Sequence, residues 1–345
     1  MKKVAIVILN WNGADMMRKF LPSVLRNSGE DAEIYVADNG STDSSCNMLK
    51  EEFPSVRLIQ LEQNYGFAGG YNKALNLLDE PYFVLLNSDV EVPEGWLSPM
   101  LEYMDAHPET AACQPKIRSW HHRELFEYAG ASGGYIDALG YPYCRGRIFA
   151  TLEKDDGQYD SIASVFWATG AALMIRREDW KAVGGLDSRF FSHMEEIDLC
   201  WRLRARGRKI VCLPKSTVYH IGGATLKKEN PRKTYLNFRN NLLMLYKNLP
   251  QNCLHRIMRL RTLLDGIAAF KFFVSGDVAN AKAVFQARVD FHRMKGDFEA
   301  DRVKNLGATV YTEIPEQFPK CLLWQYYVMG KKKFSSLFRA KKDEN

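Results

Sequence analysis

Short, mostly apolar runs alternate with longer amphipathic segments over the first 120 residues of this chain, and this alternation constrains the fold most. The runs are rich in β-branched side chains and predict buried strands, whereas the segments between them have the periodicity of helices. Strand–helix alternation predicts a mostly parallel sheet with helices on both faces. The predicted strands span residues 4–9, 34–37, 56–61 and 82–86, and the predicted helices span residues 15–26, 43–53, 68–78 and 94–105.

The pattern changes twice further along the chain. Residues 111–225 are irregular, with a glycine-rich stretch at 130–157 that predicts loops, and from residue 226 the pattern becomes helical. We therefore predict an α/β domain at residues 1–225, with halves of about 1–110 and 111–225, and a mainly helical region at 226–345. The later predicted strands span 112–117, 171–175, 209–213 and 217–219, and the later helices span 234–249, 254–274 and 278–295.

Charge divides the chain at the same place. Residues 1–225 carry 24 basic and 30 acidic residues, a net charge of −6, whereas residues 226–345 carry 23 basic and 11 acidic residues, a net charge of +12. This asymmetry favours contact between the C-terminal region and an anionic surface. Basic residues interleave with apolar ones there and no nucleic-acid-binding motif accompanies them, so we expect a membrane surface and no nucleic acid. A solvated tail is the alternative for residues 331–345.

Cysteine usage and hydropathy indicate the compartment. The seven cysteines are scattered without a CxxC pair, which argues against a disulfide framework or a zinc cluster and fits a reducing cytoplasm. The apolar run at residues 4–9 is too short for a signal peptide, and Arg261, Asp265 and Lys271 interrupt the longest apolar stretch. We expect a cytoplasmic protein that lies peripherally on the inner face of the plasma membrane.

Small, amide and carboxylate residues follow each of the first four predicted strands. The carboxyl ends of parallel strands meet at one edge of a sheet, where such sheets bind ligands. Each loop alone could be a simple turn, but four in succession on one edge favour a binding site. The candidate residues are Asn10, Asn12, Asp38, Ser41, Asp43, Asn64, Gly66, Asn72, Asn87, Ser88 and Asp89.

Three of these positions suggest a specific ligand chemistry. Asp38 can accept a hydrogen bond from the ring N–H of uracil or thymine. Gly66 permits close backbone approach, and the helix after it offers N–H groups to phosphates. Asp89 can bind Mg²⁺ or Mn²⁺ while diphosphate oxygens complete the coordination, although a turn or cap residue before Pro93 is the alternative. Neither a GxxxxGK[ST] loop nor a GxGxxG fingerprint is present.

The order of these motifs resembles inverting family 2 glycosyltransferases with the GT-A fold, most closely their rhamnosyltransferase-like branch. The resemblance rests on Asn10-Trp-Asn-Gly, Asp38 to Asp43, Asn64 to Asn72, and Asn87-Ser-Asp89, and it covers about residues 3–225. Asn87-Ser88-Asp89 occupies the DxD position, so Asp89 is its one carboxylate. The resemblance implies a nucleotide-sugar half at about 1–110 and an acceptor half at about 111–225.

The second half of the domain carries further motifs of the same family. Glu195 and Glu196 begin a predicted helix, on which Asp198 and Arg202 are spaced to pair. The resemblance places Glu196 at the catalytic base, with Glu195 as the fallback, and makes His220 a metal ligand. A lone histidine is otherwise more often structural. The predicted sugar or acceptor pocket contains Trp167, Thr169 and Gly170, with a core position as the alternative for Trp167.

The resemblance therefore implies an inverting glycosyltransferase that uses Mg²⁺ or Mn²⁺ and a carboxylate base. The expected donor is a UDP- or dTDP-sugar, with dTDP-rhamnose first, and the expected acceptor is a glycan or lipid-linked glycan in cell-surface polysaccharide synthesis. One alternative is a sugar nucleotidyltransferase, but the segment from Asn10 to Gly13 lacks the basic glycine-rich signature that it needs. The other is a nucleotide-sugar-binding or scaffold protein without transfer activity.

Overall fold

A nine-stranded, mixed but largely parallel sheet forms the centre of the computed structural model, which describes residues 2–222 and 230–338. Eight of its strands lie in the order β11-β13-β6-β12-β4-β1-β2-β3, and β5 pairs with β13. The strands in chain order are β1 Val4–Asn10, β2 Ala32–Asp38, β3 Arg57–Gln60, β4 Tyr82–Asn87, β5 Val90–Glu91, β6 Thr110–Ser119, β7 Gly134–Asp137, β8 Pro142–Cys144, β9 Arg147–Ile148, β10 Thr151–Leu152, β11 Ala163–Ser164, β12 Ala172–Arg176, β13 Lys209–His220 and β14 Gln317–Phe318.

The four strands predicted from the alternation are all present and mutually parallel. β1 lies between β2 and β4, and β3 lies beyond β2. Val4 through Ile8 on β1 are almost completely buried because hydrophobic cores cover both faces of the sheet. The carboxyl ends of these strands therefore lie along one edge, as predicted. β12 inserts antiparallel between β4 and β6.

Where a helix was predicted, the observed helix differs from the prediction mainly in where it begins and ends. α4 begins at Ser98 instead of residue 94 because Gly95 has a φ of +71°, outside the helical region. The helices are α1 Ala14–Asn27, α2 Ser45–Glu52, α3 Gly66–Leu75, α4 Ser98–Ala106, α5 Arg177–Val183, α6 Glu195–Ala205, α7 Pro231–Asn248, α8 Gln251–Val274, α9 Val278–Met294, α10 Glu299–Gly307 and α11 Phe334–Leu337.

Four strands of a second, five-stranded sheet lie in the stretch that the sequence predicted as loops, so that prediction was wrong. Its strand order is β10-β9-β8-β7-β14, and several of its strands have only two or three residues, too short to show alternation. β14 arrives from the C-terminal region and pairs in parallel with β7. Tyr143 on β8 lies against Phe318 and Phe334, so the C-terminal region completes this layer.

The helices after residue 230 pack on the α/β domain and share its hydrophobic core. Leu242 to Leu245 on α7 belong to the same buried cluster as Ala5 and Val7 of β1. Charge and pattern divide the chain near residue 225, whereas packing joins its two parts. Among the described residues, no helix combines the length and apolar character needed to cross a membrane. All seven cysteines are free thiols.

The C-terminal basic residues differ in where they lie. Arg239 and Arg261, two of the basic residues whose charge favoured an anionic surface for residues 226–345, are buried: Arg261 donates to Leu139 O at 3.0 Å, and Arg239 donates to Asn240 Oδ1. Their planar guanidinium groups satisfy buried acceptors inside the protein. Lys227, Lys228 and residues 339–342 lie outside the described residues.

Candidate active site

The ends of β1 and β2 are joined by hydrogen bonds at the predicted edge. Asn10 Nδ2 donates to Asp38 Oδ1 at 3.0 Å and to Ser41 Oγ at 3.2 Å, and Ser41 N donates to Asp38 Oδ2 at 3.0 Å. Asp38 is only 3% exposed, but a carboxylate has about four acceptor positions. The two protein donors therefore orient Asp38 and leave it able to accept a further hydrogen bond.

Asn12 and Asp43 fix the two neighbouring loops to each other. Asn12 Oδ1 accepts from Thr42 N at 2.7 Å, and Asp43 Oδ2 accepts from Ala14 N at 3.2 Å. Burial raises the pKa of the Asp43 carboxyl, but N–H donors from Ser45 and Ala14 outweigh it and keep the pKa below its usual value. Both side chains therefore hold the loops that follow β1 and β2 in position.

The loop after β3 and the start of α3 are also held by side-chain amides. Asn64 Oδ1 accepts from Gly66 N at 2.8 Å and from Asn39 Nδ2 at 3.1 Å. Asn39, which was not among the predicted site residues, also accepts from Tyr65 N. Asn72 exchanges hydrogen bonds with the backbone of Leu186, which ties α3 to the second half of the domain.

The N–H groups at the N-terminus of α3 already donate to a backbone carbonyl oxygen of the protein. The expectation that they bind phosphates is therefore wrong. Phe67 N and Ala68 N donate to the carbonyl oxygen of Phe191 at 2.8 and 3.3 Å. Gly66 has a φ of +71°, and a Cβ there would lie 2.5 Å from the Phe191 ring. The glycine is therefore required by the close approach of the Phe191 loop.

Asp89, His220 and Glu127 form a buried row at the ends of β4 and β13. His220 Nε2 lies 3.0 Å from Asp89 Oδ1 and 3.4 Å from Asn87 Nδ2, and His220 Nδ1 lies 3.3 Å from Glu127 Oε2. Burial lowers the pKa of His220, but the two carboxylates outweigh it and raise the pKa to about 10. Ser88 is half-buried between Asn87 and Asp89.

The donor set of this row supplies only part of what a divalent cation needs. In the described ranges 2–222 and 230–338, no group of three or more His, Cys, Asp or Glu is arranged to hold a metal. Asp89 Oδ1 and His220 Nε2 are nevertheless as close as two ligands of one cation, about 3 Å. A carboxylate behind the other ring nitrogen, as at Glu127, typically orients a metal-binding histidine. The pair would suit a metal that displaces the proton between His220 Nε2 and Asp89 and takes its other ligands from a substrate.

Glu127 could not be recognised from the sequence. It lies in an irregular segment between Phe126 and Tyr128, where no periodicity or spacing marks it. Its backbone N–H donates to Ile117 O on β6, and this pairing brings its side chain beside His220. The proximity of Glu127 to His220 is therefore visible only in the tertiary structure.

A strained loop precedes the two predicted catalytic glutamates. Phe191, His193 and Met194 all have positive φ values, of 65°, 72° and 72°, and each such non-glycine residue costs about 1–3 kcal/mol. Asn240 on α7 stabilises this loop because its Nδ2 lies 2.8–2.9 Å from the carbonyl oxygens of Phe190, Ser192 and His193. Backbone strain of this kind is typical of functional sites.

Glu195 and Glu196 begin α6 with incomplete hydrogen bonding. One carboxylate oxygen of each is buried without a hydrogen-bond partner among the described residues. Burial raises the pKa of Glu196 to about 7, and burial followed by the charge of Glu196 raises the pKa of Glu195 well above its usual value. A carboxylate that titrates near neutral pH suits general-base catalysis.

Asp198, two residues further on, has a different environment. Its carboxylate accepts from Arg202 Nε at 2.9 Å, from Lys247 Nζ at 2.8 Å and from Asn248 Nδ2 at 2.7 Å. The predicted Asp198–Arg202 pair is therefore present, although it is buried. These bonds indicate a structural role for Asp198.

The predicted pocket residues Trp167, Thr169 and Gly170 are all buried. Trp167 is 4% exposed and its Nε1 donates to Tyr135 O, so the expectation of an exposed ring stacking on a sugar is not met and the core position is correct. Thr169 Oγ1 accepts from Ala171 N at 3.2 Å. A Cβ at Gly170 would lie 2.9 Å from the Phe67 ring.

The segment containing these residues connects the two parts of the site. Asn87 N donates to Ala171 O at 3.0 Å, and Ala168 N donates to Cys200 Sγ on α6 at 3.5 Å. Residues 168–171 therefore contact both the Asn87 strand end and the helix that carries the glutamates. The segment therefore links the strand-end edge to Glu195 and Glu196.

A protein family and a curated relative that are similar to this chain are both glycosyltransferases. Residues 5–156 match the family described as Glycosyl transferase family 2. Over 233 residues, 62% of this chain and 75% of the relative, the chain is 27% identical to N-acetylglucosaminyl-diphospho-decaprenol L-rhamnosyltransferase of Mycobacterium tuberculosis H37Rv.

Two solved structures are similar across most of the chain. The first is GalNAc-T7 with UDP, GalNAc and Mn²⁺ (TM-score 0.59, 14% identity, 92% of this chain and 58% of that one). The second is S. aureus TarS 1-349 in complex with UDP-GlcNAc (TM-score 0.56, 15% identity, 89% of each chain). At these identities the likeness concerns the fold.

Proposed function

The chain is a glycosyltransferase with a family 2 domain and a GT-A fold, and from this premise we propose that it transfers L-rhamnose from dTDP-rhamnose to a lipid-linked glycan. More broadly, the donor would be a UDP- or dTDP-sugar. The M. tuberculosis relative is named for L-rhamnosyl transfer to N-acetylglucosaminyl-diphospho-decaprenol, which supports this donor and acceptor. The product would enter cell-surface polysaccharide synthesis.

One observation carries the catalytic part of the proposal. Glu196 offers a buried carboxylate oxygen without a partner among the described residues, and its pKa is about 7. It begins a helix that is linked through residues 168–171 to the strand end at Asn87. A base with a raised pKa, on a helix linked to an edge that carries oriented carboxylates, is what sugar transfer to a hydroxyl group needs.

The donor would bind along the carboxylate edge. Asp38, oriented by Asn10 and the Ser41 N–H, would accept a hydrogen bond from the pyrimidine ring N–H. Asp89 and His220 would hold Mg²⁺ or Mn²⁺, which supplies charge neutralisation for the departing nucleoside diphosphate.

The acceptor hydroxyl would be activated by Glu196. Its carboxylate takes the hydroxyl proton while the acceptor oxygen bonds to the anomeric carbon. The bond from that carbon to the diphosphate oxygen breaks on the opposite face, and its electron pair leaves with the nucleoside diphosphate, so the configuration inverts. Glu195 is the fallback base, and its pKa, raised well above the usual value, keeps it protonated at neutral pH and so favours Glu196 in this role.

A donor panel tests this proposal. The full chain is incubated with UDP-, dTDP-, GDP- and CMP-sugars, Mg²⁺ or Mn²⁺, and an N-acetylglucosaminyl polyprenyl diphosphate, and release of the nucleotide is measured. We expect acceptor-dependent release from dTDP-rhamnose or another UDP- or dTDP-sugar. Preference for a purine donor would refute the role of Asp38. Tight donor binding without turnover under any condition would favour a nucleotide-sugar-binding protein.

A further inference from the structure

Helix α8 presents an apolar stripe to solvent. Its opposite face is buried through Leu254 and Ile257, so the helix is anchored on the protein. Residues spaced alternately three and four apart lie on one side of a helix, and here that side is exposed. The stripe consists of Leu260, Leu263, Ile267, Phe270 and Val274, with exposed fractions of 44%, 63%, 56%, 67% and 63%.

A second group of exposed apolar residues lies beside this stripe. The π-helical turn Trp324–Val328 exposes Trp324, Tyr327 and Val328, each by more than half. Lys271 on α8 joins the two groups, since its Nζ lies 5.6 Å from the centre of the Tyr327 ring. We call the α8 stripe together with this turn the α8 patch. Contiguous exposed apolar surface of this kind marks an interaction site.

The charges around the α8 patch are positive. Arg256, Arg259 and Lys271 are exposed on α8, and Lys332 and Lys333 follow the π-helical turn. The one acidic residue of α8, Asp265, is 3% exposed and pairs with Arg261 and Arg288 inside the protein. The exposed face of α8 therefore has cations and apolar groups without a carboxylate.

We propose that the α8 patch docks on an anionic membrane, with its apolar side chains in the lipid interface and the basic residues against the headgroups. Amphipathic basic helices bind membranes in this way, and tryptophan and tyrosine favour the interface. A second copy of the chain fits less well, because a symmetric contact would place the same cations opposite each other.

This docking surface bears on the proposed acceptor but does not depend on it. A lipid-linked acceptor lies in a membrane, so an enzyme held there would meet it on a surface. Vesicle binding can be measured without donor or acceptor. Failure of the donor panel would therefore leave this inference standing, and loss of vesicle binding would leave the transfer chemistry standing.

Vesicle cosedimentation of the full chain tests the proposal. The variant Leu263→Gln/Ile267→Gln/Phe270→Gln removes apolar side chains that are exposed, so its melting temperature should match that of the wild type. We expect the wild type to bind phosphatidylglycerol-containing vesicles more tightly than phosphatidylcholine vesicles, with binding weakened by salt. The variant should lose at least about tenfold in vesicle affinity.

A matched control variant separates the patch from general surface hydrophobicity. Leu77→Gln/Ile162→Gln/Val303→Gln changes three residues with exposed fractions of 67%, 52% and 64%, all outside the patch. It should bind vesicles like the wild type. Unchanged binding by the α8 variant, or equal binding to neutral vesicles, would overturn the proposal. A wild-type dimer without vesicle affinity, made monomeric by the α8 variant, would assign the patch to a second copy instead.

Discussion

Glu195 and Glu196 are adjacent residues whose environments separate their proposed roles. Glu195 is 4% exposed and Glu196 is half-buried, so the ionised form is penalised more at Glu195. At neutral pH Glu196 can therefore exist as a carboxylate while Glu195 keeps its proton. This difference favours Glu196 as the base. It arises from burial and, at Glu195, also from the neighbouring charges of Glu196 and Asp198, and the shared residue type does not reveal it.

Replacing Glu196 tests its role directly. Glu196→Gln keeps the shape of the side chain and removes its basicity, so we expect kcat to fall by about 10²–10⁴-fold with the melting temperature unchanged or higher. Nucleotide release in the presence of acceptor measures the effect. Glu195→Gln is the matched control and should keep most of the activity. Undiminished transfer by Glu196→Gln would refute the assignment.

The pH dependence of transfer provides an independent test. A general base must be ionised, and burial raises the pKa of Glu196 to about 7, so its protonated form dominates below that pH. We expect kcat/KM to rise with pH up to about 7 and then to level off. Initial rates measured across this range give the profile. A rate that is already maximal at pH 5 would contradict it.

Glu127 should act through His220 in metal binding. It lies behind His220 Nδ1, and loss of such a carboxylate typically costs about 10–100-fold in metal affinity. We expect a chelator to abolish transfer and Mg²⁺ or Mn²⁺ to restore it. Glu127→Gln should need about 10–100-fold more metal, measured both by activity and by Mn²⁺ titration in the presence of UDP. The same metal requirement as the wild type would refute this role.

At the scale of elements, α3 and α7 together hold the loop that precedes α6, the helix of the proposed base. The N-terminus of α3 binds Phe191 O, and Asn240 on α7 binds three carbonyl groups of residues 190–193. These contacts offset the cost of the positive φ values at Phe191, His193 and Met194. The position of Glu196 therefore depends on a helix that lies outside the N-terminal 225 residues.

Two asparagine substitutions, one on α7 and one on α1, test this dependence. Asn240→Ala removes the donor to the strained loop, so we expect both a lower melting temperature and a fall in kcat of about tenfold or more. Asn27→Ala is the control, because Asn27 Nδ2 donates at 2.8 Å to the carbonyl oxygen of Val92, in another part of the fold. It should lower stability with little effect on kcat. Equal kcat losses in the two variants would refute the positioning role.

For the whole molecule, a buried charge network joins the C-terminal region to the α/β domain. Lys247 Nζ on α7 lies 2.8 Å from both Asp187 Oδ2 and Asp198 Oδ2, and all three side chains are largely buried. Burial raises the pKa of each carboxyl, but Arg189, Arg202 and Lys247 outweigh it and hold both pKa values below the usual range. The two parts of the chain therefore stabilise each other.

Removing the buried cation should have a large effect on stability. Lys247→Met leaves two carboxylates with fewer partners, and breaking such a buried pair costs about 3–5 kcal/mol of unfolding free energy. Denaturant unfolding at pH 7 measures this loss. Lys3→Met, which breaks the exposed pair with Asp105, is the control and should change stability little.

The effect of Lys247→Met should also depend on pH. Because the pKa values of Asp187 and Asp198 are depressed in the folded state, their stabilisation is present above about pH 4 and is lost as the pH falls through the folded values. The difference between wild type and variant should therefore shrink in acid. An equal difference at pH 7 and at low pH would contradict an ionic origin.

Local properties of the sequence were sufficient for the strand-end edge. The alternation that predicted β1 to β4 depends on residues close together in the chain, and parallel pairing then brings Asp38 and Asp89 to one edge. The pair Asp198–Arg202 was predictable for the same reason, since its spacing is one helical turn. Periodicity is short-range information, and the sequence contains it directly.

The tertiary structure alone decided how these parts are completed. β14 pairs with β7 from about 180 residues away, Glu127 reaches His220 across β6 and β13, and Asn240 holds a loop 50 residues before it. The burial of Trp167 and the inward orientation of Arg261 likewise follow from long-range packing. Such contacts depend on which surfaces meet once the chain is compact, and no local spacing encodes that. By itself, the sequence determined the sheet and its edge of polar residues. Packing decided which polar side chains bind other protein groups and which keep a carboxylate oxygen without a hydrogen-bond partner among the described residues.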